Sequence, residues 1–387
     1  MSEWKEFKLG DIADKIGDGL HGTPAYSDDG EYYFINGNNL LNGKISIKNE
    51  TKKVTEAEYQ KHKKPLSNRT ILLGINGTIG NLAFYNGEKC VLGKSACYIN
   101  ISSDIDNFFI YYKMLSKEFQ STLLEIATGT TIINVPLKGL REIPILLPTI
   151  AEQKDIAGVL SALDEKIDLL HRQNKTLEAM AEALFRQWFV EEAEESWEEG
   201  KLGDEFIITM GQSPPGESYN EDGVGIPMYQ GNADFEFRFP KNRVFTTDPK
   251  RFAEKYDTLI SVRAPVGAQN MANEECCIGR GVASLRYKIK SDLYSYTYYK
   301  IRYHMLEIAG FNDTGTVFGS IGKEDLWGIK TQIPSTLESE EIDLRLKPLN
   351  DRIIENCFQI RSLEKLRDTL LPKLMSGEVK VDINRDI

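Results

Sequence analysis

The sequence lacks the residue patterns that mark most catalytic and cofactor-binding sites. Its 387 residues contain no Walker loop and no HExxH motif. Histidine is rare, and the four that occur are too scattered to indicate a catalytic or metal-binding cluster: His21, His62, His171 and His304. We therefore expect a protein that has no catalytic activity of its own and binds no metal.

One segment invites comparison with a catalytic motif. Ser213-Pro214-Pro215-Gly216 shares its Pro-Pro core with the motif that amino-methyltransferases place against a flipped base. It lacks the aromatic residue that would stack on that base, and a Pro-Pro-Gly sequence is typical of a turn. We interpret the segment as a turn.

Cysteine and long apolar runs are also scarce. Five cysteines occur without a CxxC pair, and we interpret them as buried, reduced thiols: Cys90, Cys97, Cys276, Cys277 and Cys357. The longest uncharged stretch, Thr70 to Gly87, is interrupted by four glycines and three asparagines, unlike a membrane helix of about 20 apolar residues. The start, MSEWKEFKLGD, has no apolar core behind basic residues, so secretion is not expected. These features predict a cytoplasmic location.

What the sequence does contain is an internal repeat. KLGD at 8–11 recurs at 201–204, and TILLGINGTIG at 70–80 is matched by TLISVRAPVG at 258–267. The segment from Cys90 to Lys94 likewise pairs with Cys276 to Arg280. So many matches in the same order indicate two diverged copies of one unit, each about half of the chain.

Each copy has two parts. The first mixes short β-branched and aromatic runs with Gly, Asn and Pro, which predicts a mixed domain of short strands, helices and loops. The second is a long segment with regular apolar spacing, which predicts a long helix. The fold class is therefore α+β, with two similar mixed domains at 1–149 and 193–335, each followed by a long helix, at 150–192 and 336–387.

The apolar positions of the two helices alternate in steps of four and three, which is a heptad seam. One asparagine interrupts each seam, Asn174 in the first helix and Asn356 in the second. In a parallel pairing both amides would face apolar partners, whereas an antiparallel pairing centred on both seams places them opposite each other. A buried amide without a partner costs a few kcal/mol, so we predict an antiparallel coiled coil with pseudo-two-fold symmetry. Pro348 predicts a kink in the second helix or a later start for it.

The net charge of −11 argues at first against a nucleic-acid partner. Residues 150–199, however, hold 13 acidic and 5 basic residues, which accounts for −8 of the total. The two mixed domains are close to neutral. Their basic residues gather at matching places, between an NGN or QGN turn and the glycine-rich strand.

A basic stretch is usually only a solvated surface, but its recurrence favours contact with DNA phosphates. The first domain contributes Lys44, Lys48, Lys52, Lys53, Lys61, Lys63, Lys64 and Arg69; the second contributes Arg238, Lys241, Arg243, Lys250, Arg251 and Lys255. Loop residues are further candidates for DNA binding: Asn76, Thr78, Lys94, Arg263 and Arg280. Any of the arginines is chemically able to bind a guanine edge in the major groove, and the sequence does not indicate which one does.

Together these features resemble the specificity (S) subunits of type I restriction–modification systems. The resemblance rests on the repeated architecture, on PTIAEQKDIAGVLSALDEKIDLLHRQNKTLEAMAEALFRQWF at 148–189, which resembles the family's central conserved region, and on LRDTLLPKLMSGEVKV at 366–381, which resembles its distal one. It covers essentially the whole chain. It implies that 1–149 and 193–335 are two target recognition domains that together bind a bipartite, asymmetric DNA sequence.

The resemblance also implies partners. Two methyltransferase subunits that carry S-adenosylmethionine and modify adenine would dock along the helices, and two restriction subunits that use ATP and Mg would join them, while this chain binds no cofactor. Two alternatives stay open: the same subunit in a methylation-only system, and a coiled-coil interaction scaffold that does not bind DNA.

Overall fold

The computed structural model of the protein describes residues 4–129, 133–312 and 319–381. The chain forms two compact units. Unit 1 extends to Lys166 and also includes the chain from Leu363 onward, and unit 2 is Ile167–Ser362. Each unit therefore contains one mixed domain together with parts of both long helices.

The mixed domain of unit 1 consists of short strands and helices, and a long helix follows it. Its strands, in chain order, are β1 Lys5–Lys8, β2 Ala13–Asp18, β3 Tyr32–Ile35, β4 Leu40–Leu41, β5 Lys44–Ile45, β6 Lys53–Val54, β7 Thr70–Gly74, β8 Leu82–Phe84, β9 Cys90–Leu92, β10 Ala96–Ile101 and β11 Pro144–Leu147. Its helices are α1 Glu56–His62, α2 Asn107–Leu115, α3 Lys117–Glu125 and α4 Leu137–Glu142, followed by α5 Ile150–Arg186, which continues into unit 2.

The central sheet of unit 1 is antiparallel, with strand order β2-β10-β7-β8. Strand β7 is buried throughout, as its sequence of Thr, Ile and two Leu residues before a glycine favours. A second sheet has the order β6-β3-β9, in which β3 and β9 run parallel. The ends of β3, β7 and β9 lead into the loops that carry the candidate DNA-binding residues.

Unit 2 repeats this plan. Its strands are β12 Glu198–Lys201, β13 Phe206–Met210, β14 Tyr219–Asn220, β15 Ile226–Tyr229, β16 Val244–Thr246, β17 Phe252–Ala253, β18 Thr258–Ser261, β19 Gln269–Met271, β20 Cys276–Ile278, β21 Val282–Tyr287 and β22 Lys330–Ile333. Its helices are α6 Leu202–Glu205, α7 Tyr294–Gly310, α8 Lys323–Gly328 and α9 Thr336–Met375, the last of which continues into unit 1.

The central sheets of the two units correspond strand by strand, and the second sheet of unit 2 has two more strands than that of unit 1. The central sheet of unit 2 has the order β13-β21-β18-β19, and its second sheet, β14-β16-β15-β20-β17, contains the parallel pair of β15 and β20. In each unit a short ribbon joins the first strand to the last, β1 with β11 and β12 with β22. The mixed α and β content and the repeat predicted from the sequence are confirmed.

Both long helices begin at a polar residue followed three positions later by glutamate. The backbone N–H of Glu338 donates to Ser335 Oγ at 3.3 Å, and Glu338 Oε2 accepts from the Ser335 backbone N–H at 2.7 Å, which is a capping box. At the start of α5 the backbone N–H of Glu152 donates to Thr149 Oγ1 at 3.4 Å. Both copies thus cap the first turn of the long helix with a hydroxyl side chain.

A tryptophan is attached to each of these glutamates. Trp197 Nε1 donates to Glu338 Oε1 at 2.8 Å in unit 2, and Trp4 Nε1 donates to Glu152 Oε1 at 3.4 Å in unit 1. Each tryptophan lies just before the first strand of its unit. The repeat therefore extends to a side-chain hydrogen bond that ties the start of the sheet to the start of the helix.

Inside unit 2 the segments of α5 and α9 run antiparallel. Asn356 Nδ2 donates to Asn174 Oδ1 at 2.8 Å, and both side chains are buried. Further along α5, the Phe185 ring packs against Tyr296, whose backbone N–H donates to Asp343 near the start of α9. The later residues of α5 therefore lie beside the earlier residues of α9.

The corresponding segments inside unit 1 also contact each other. Arg367 Nη1 of α9 donates to Asp164 Oδ1 of α5 at 2.9 Å, and Tyr112 donates to the other oxygen of that carboxylate at 2.7 Å. Ile156 and Leu374 belong to the same buried apolar cluster. The apolar faces of both long helices are thus part of the unit cores. Each compact unit therefore includes segments of both long helices, and the predicted domain bounds stay a prediction.

Pro348 neither delays nor divides the second helix. Helix α9 begins at Thr336 and includes Pro348 in its interior, so the predicted later start is wrong. A proline leaves the carbonyl four residues earlier without its helical donor. That carbonyl belongs to Leu344, whose side chain is 72% exposed, so water is available to hydrogen-bond on this side of the helix.

Candidate nucleic-acid interface

The structure keeps most of the basic segment of unit 1 at the surface. Lys44, Lys48, Lys52, Lys61 and Lys63 are exposed. Lys53 and Lys64 are partly exposed. Helix α1 carries Lys61, and Lys63 follows its last residue. Both lysines contact side chains of α1: Lys61 Nζ lies 3.0 Å from Glu58 Oε2, and Lys63 Nζ lies 2.8 Å from Gln60 Oε1. This segment is available to a polyanion.

Arg69 does not belong with these surface residues. Its Nε donates to the Ile101 carbonyl at 2.9 Å, and its Nη2 donates to the carbonyls of Ser102 and Ile105. The guanidinium closes the end of β10 by satisfying backbone acceptors, so few of its five N–H donors remain for a phosphate. These hydrogen bonds give Arg69 a structural role, and its contact with DNA stays a prediction.

The structure corrects the prediction for Arg238. Its side chain is 1% exposed and forms an ion pair with Glu178 of α5. The guanidinium lies 3.8 Å from the centre of the Tyr298 ring, and its Nη2 also donates to the Tyr299 hydroxyl at 3.3 Å. Burial raises the pKa of Glu178, and the nearby Arg238 charge opposes that shift. A fully enclosed arginine of this kind is a core residue and cannot contact DNA.

The other basic residues of the same segment of unit 2 are at the surface. Lys241, Lys250, Arg251 and Lys255 are exposed. Lys250 Nζ pairs with Asp248 at 2.7 Å, and Lys255 Nζ lies 4.8 Å from the centre of the Tyr256 ring. These positions are able to contact phosphates, and the matching segment of unit 1 has the same character.

Three loops of unit 2 enclose a polar cleft with a volume of about 520 Å³. One loop follows β15, one follows β18, and one joins β20 to β21. Arg263 and Arg280 come from the second and third loops, and both are exposed. The cleft is lined by Ser213, Gln230, Gly231, Asn232, Ala233, Asp234, Arg243, Val244, Arg263, Ala264, Pro265, Arg280 and Gly281. Three of the predicted arginines therefore meet at one concave, hydrogen-bonding surface.

Arg243 is held in place inside this cleft. Its Nε donates to Asp234 Oδ1 at 3.2 Å, and its Nη2 hydrogen-bonds to the same oxygen. Asp234 is buried and also accepts from the Gln230 backbone N–H at 2.7 Å. The hydrogen bond to Asp234 raises the pKa of Arg243, which stays fully charged. The pair fixes the loop after β15. It also occupies part of the hydrogen-bonding capacity of the Arg243 guanidinium.

The equivalent loops of unit 1 also converge. A Cβ added to Gly37 would lie 3.1 Å from the Ser95 carbonyl oxygen and 3.2 Å from that of Thr78, so these three loops approach closely at a position where a larger residue would be crowded. Gly37 N–H donates to Ser95 Oγ at 2.9 Å, and Ser95 Oγ donates to Asn36 Oδ1 at 3.0 Å. The structure thus brings Asn76, Thr78 and Lys94 to one end of unit 1.

The sequence did not identify Gln230, Asn232 and Asp234 as residues of the site. The signal was present, since the NGN and QGN turns recur at matching places and each ends a strand. Ser213, interpreted as part of a turn, also lines the cleft, where its Oγ accepts from the Arg280 backbone N–H at 3.4 Å. A 3₁₀ turn follows the two prolines, at Gly216–Ser218.

The part of the chain that the structure describes contains no group of three or more His, Cys, Asp or Glu residues able to hold a metal ion. Within the same residues, no helix combines the length and apolarity needed to cross a bilayer. The five cysteines are free thiols, of which Cys90, Cys97, Cys276 and Cys277 are buried and Cys357 is partly buried.

The chain matches one protein family over most of its length. The family model described as the type I restriction modification DNA specificity domain matches residues 1–179 and again residues 194–362. A Methanocaldococcus jannaschii protein named as the specificity subunit of type I restriction enzyme MjaX is 33% identical over 326 residues, which cover 78% of this chain and 76% of that protein. The type I restriction enzyme MjaIX specificity subunit of the same organism is 25% identical over 346 residues, which cover 81% of this chain and 78% of that protein.

A solved structure has the same fold. The crystal structure of a type I restriction–modification system S subunit from M. genitalium superimposes with a TM-score of 0.64 at 20% sequence identity. The superposition covers 98% of this chain and 97% of that chain.

Proposed function

The chain belongs to the type I restriction modification DNA specificity family, and from this membership we propose that it is a DNA-binding subunit that selects the target of a type I restriction–modification complex. Each unit would bind one half of a bipartite, asymmetric DNA sequence. The observation that carries the proposal is the recurrence, in both units, of three converging loops with amide and cationic side chains next to a basic surface segment. Such surfaces combine phosphate contacts that position a protein with polar groups that identify bases.

The differences between the two copies support an asymmetric target. Two identical units would favour identical half-sites, whereas the candidate residues here differ from one unit to the other. Unit 2 offers arginines in its cleft, and unit 1 offers Asn76, Thr78 and Lys94. Because side chains with different donor and acceptor patterns select different base edges, the two halves of the target should differ.

In the proposed complex the chain contributes recognition and scaffolding and no catalysis. Two methyltransferase subunits would dock along α5 and α9 and supply S-adenosylmethionine and adenine methylation. Restriction subunits that use ATP and Mg would be further partners. The antiparallel segments of the two helices would act as a coiled coil whose register depends on the Asn174–Asn356 pair.

Methylation mapping tests this proposal. Adenine methylation would be mapped across the host genome with and without this chain, and the chain would be purified by affinity to identify associated subunits. We expect a gapped methylated motif that disappears without the chain, and co-purification of an adenine methyltransferase. A motif without a co-purifying nuclease would favour a methylation-only system. No chain-dependent methylation at all would contradict the proposal and favour a protein-binding scaffold.

A further inference from the structure

Arg263 occupies a rigidly held position in the cleft of unit 2. Its own side chain is exposed, but the loop on which it lies is fixed by hydrogen bonds. Ser261 Oγ donates to the Pro265 carbonyl at 2.8 Å and accepts from the Ala268 backbone N–H at 2.9 Å. Asn312 Oδ1 accepts from the Val266 backbone N–H at 2.7 Å. A fixed backbone presents the guanidinium in a limited set of directions, as recognition of a base edge requires.

Asn76 occupies the same position in unit 1. Asn76 forms an isolated antiparallel bridge with Asn134, and Arg263 forms one with Ser320. The residue before each of them, Ile75 or Val262, also accepts an equivalent backbone hydrogen bond. The Val135 N–H donates to the Ile75 carbonyl at 2.9 Å, and the Ile321 N–H donates to the Val262 carbonyl at 3.0 Å. Backbone pairing therefore shows that the two positions are equivalent although their side chains differ.

A second pair of equivalent positions keeps its charge. Lys94 and Arg280 each lie one residue after a glycine in matching turns, and both are exposed. Each glycine N–H donates at 2.8 Å to the carbonyl at the end of a neighbouring strand, Gly93 to Ile35 and Gly279 to Tyr229. A cation at both positions suits a feature that both half-sites share, which is the phosphate backbone. The other pair has an amide in unit 1 and a guanidinium in unit 2. Such a change suits contact with the bases, in which the two half-sites differ.

We propose that Arg263 binds a guanine in the half-site of unit 2 and that Asn76 binds an adenine at the matching place in the half-site of unit 1. A guanidinium fork donates to guanine O6 and N7, and a carboxamide accepts from adenine N6 and donates to N7 in the major groove. Asn76 Nδ2 lies 3.4 Å from Asn134 Oδ1, which engages one of its two amide hydrogens and leaves the other for the base. Arg243 is less suited to this task because Asp234 already accepts from its fork.

This assignment rests on the proposed function, and base analogues test it separately. The complex purified from the host would be titrated with duplexes carrying its methylated motif. Each guanine would be replaced in turn by 7-deazaguanine, which lacks the N7 acceptor, or by inosine, which keeps O6 and N7. We expect 7-deazaguanine at one position to weaken wild-type binding by about 10-fold or more, and inosine there to have little effect.

The Arg263→Ala variant then identifies the side chain involved. The variant should bind the normal duplex about 10-fold more weakly and lose its sensitivity to 7-deazaguanine at that position only. The exposed Arg251 offers a matched control, and the Arg251→Ala variant should keep the sensitivity. If the Arg263→Ala complex fails to assemble, Arg263→Lys, which keeps the charge and loses the fork, takes its place.

Three results would overturn the assignment. The first is an Arg263 variant whose DNA binding is weakened by 7-deazaguanine as much as that of the wild type. The second is a wild-type complex whose DNA binding is not weakened by 7-deazaguanine at any position, a result that needs no variant. The third is an Asn76→Arg chain whose mapped methylation motif is the same as that of wild type, since the exchange should alter one base of the other half-site. Failure of the proposed function looks different, because the wild-type chain would then direct no gapped methylation at all.

Discussion

At the scale of single residues, the buried pair of Arg238 and Glu178 should dominate the stability of unit 2. Glu178 is itself mostly buried, with its side chain 13% exposed. Removing one partner of a buried ion pair leaves an uncompensated charge and typically costs about 3–5 kcal/mol. We expect Arg238→Met to lower the free energy of unfolding by about 3 kcal/mol in denaturant titrations at pH 7.

Two controls separate the ion pair from other effects of that substitution. The double variant Arg238→Met with Glu178→Met removes both charges and should recover most of the loss. Arg251→Met, at an exposed arginine of the same segment, should change stability by less than about 0.5 kcal/mol. A loss of the same size in the double variant as in Arg238→Met would show that packing, and not the charge pair, explains the effect.

The sequence could not distinguish these arginines from those at the surface. Arg69 ends the basic segment of unit 1 and Arg238 begins that of unit 2, in line with the exposed basic residues of each segment. The hydrogen bonds of both arginines reach partners that are distant in sequence, Glu178 for the buried Arg238 and the end of β10 for the partly exposed Arg69. What could be predicted was which loops carry the candidate residues, since the polar turns and glycine-rich strand ends recur in both copies.

At the scale of the elements, the Asn174–Asn356 pair should specify how α5 and α9 are aligned within unit 2. Asn174→Leu leaves the Asn356 amide buried without its partner, so we expect the free energy of unfolding to fall by about 1–3 kcal/mol. The double variant Asn174→Leu with Asn356→Leu should regain stability, because an apolar pair suits the seam. A double-mutant cycle measured by denaturant titration would give the coupling energy, and a value near zero would contradict a role for the pair.

The long helices were predictable because their seven-residue period is a local signal that extends over many turns. The polar seam positions also carried enough information to bring the two asparagines together. The division of the chain into units was not predictable in the same way. The seam residues of α5 and α9 serve as core residues of the mixed domains, Ile156 and Leu374 in unit 1 and Ala181 and Leu346 in unit 2. Their place in the domain cores follows from tertiary packing. The sequence does not reveal it, because a helix has the same apolar period whether or not it packs on a domain.

At the scale of the whole molecule, the distribution of charge matters more than its sum. The net charge of −11 would repel a polyanion if it were spread evenly. Most of it belongs to residues 150–199, while the mixed domains are nearly neutral and carry their lysines in exposed segments. A protein of this kind is able to bind DNA through local basic surfaces, and its affinity should depend strongly on salt where those surfaces contact phosphates.

The basic segment of unit 1 allows that dependence to be measured. Replacing Lys61, Lys63 and Lys64 by alanine should weaken DNA binding to target and non-target duplexes alike. The slope of log affinity against log salt should become shallower by about 1 for each phosphate contact that is lost. Replacing Lys5, Lys8 and Lys117, exposed lysines of the same unit outside this segment, removes an equal charge and should leave most of the slope in place. Equal slopes for the wild type and the Lys61, Lys63 and Lys64 variant would show that α1 and the residues after it do not contact the DNA backbone.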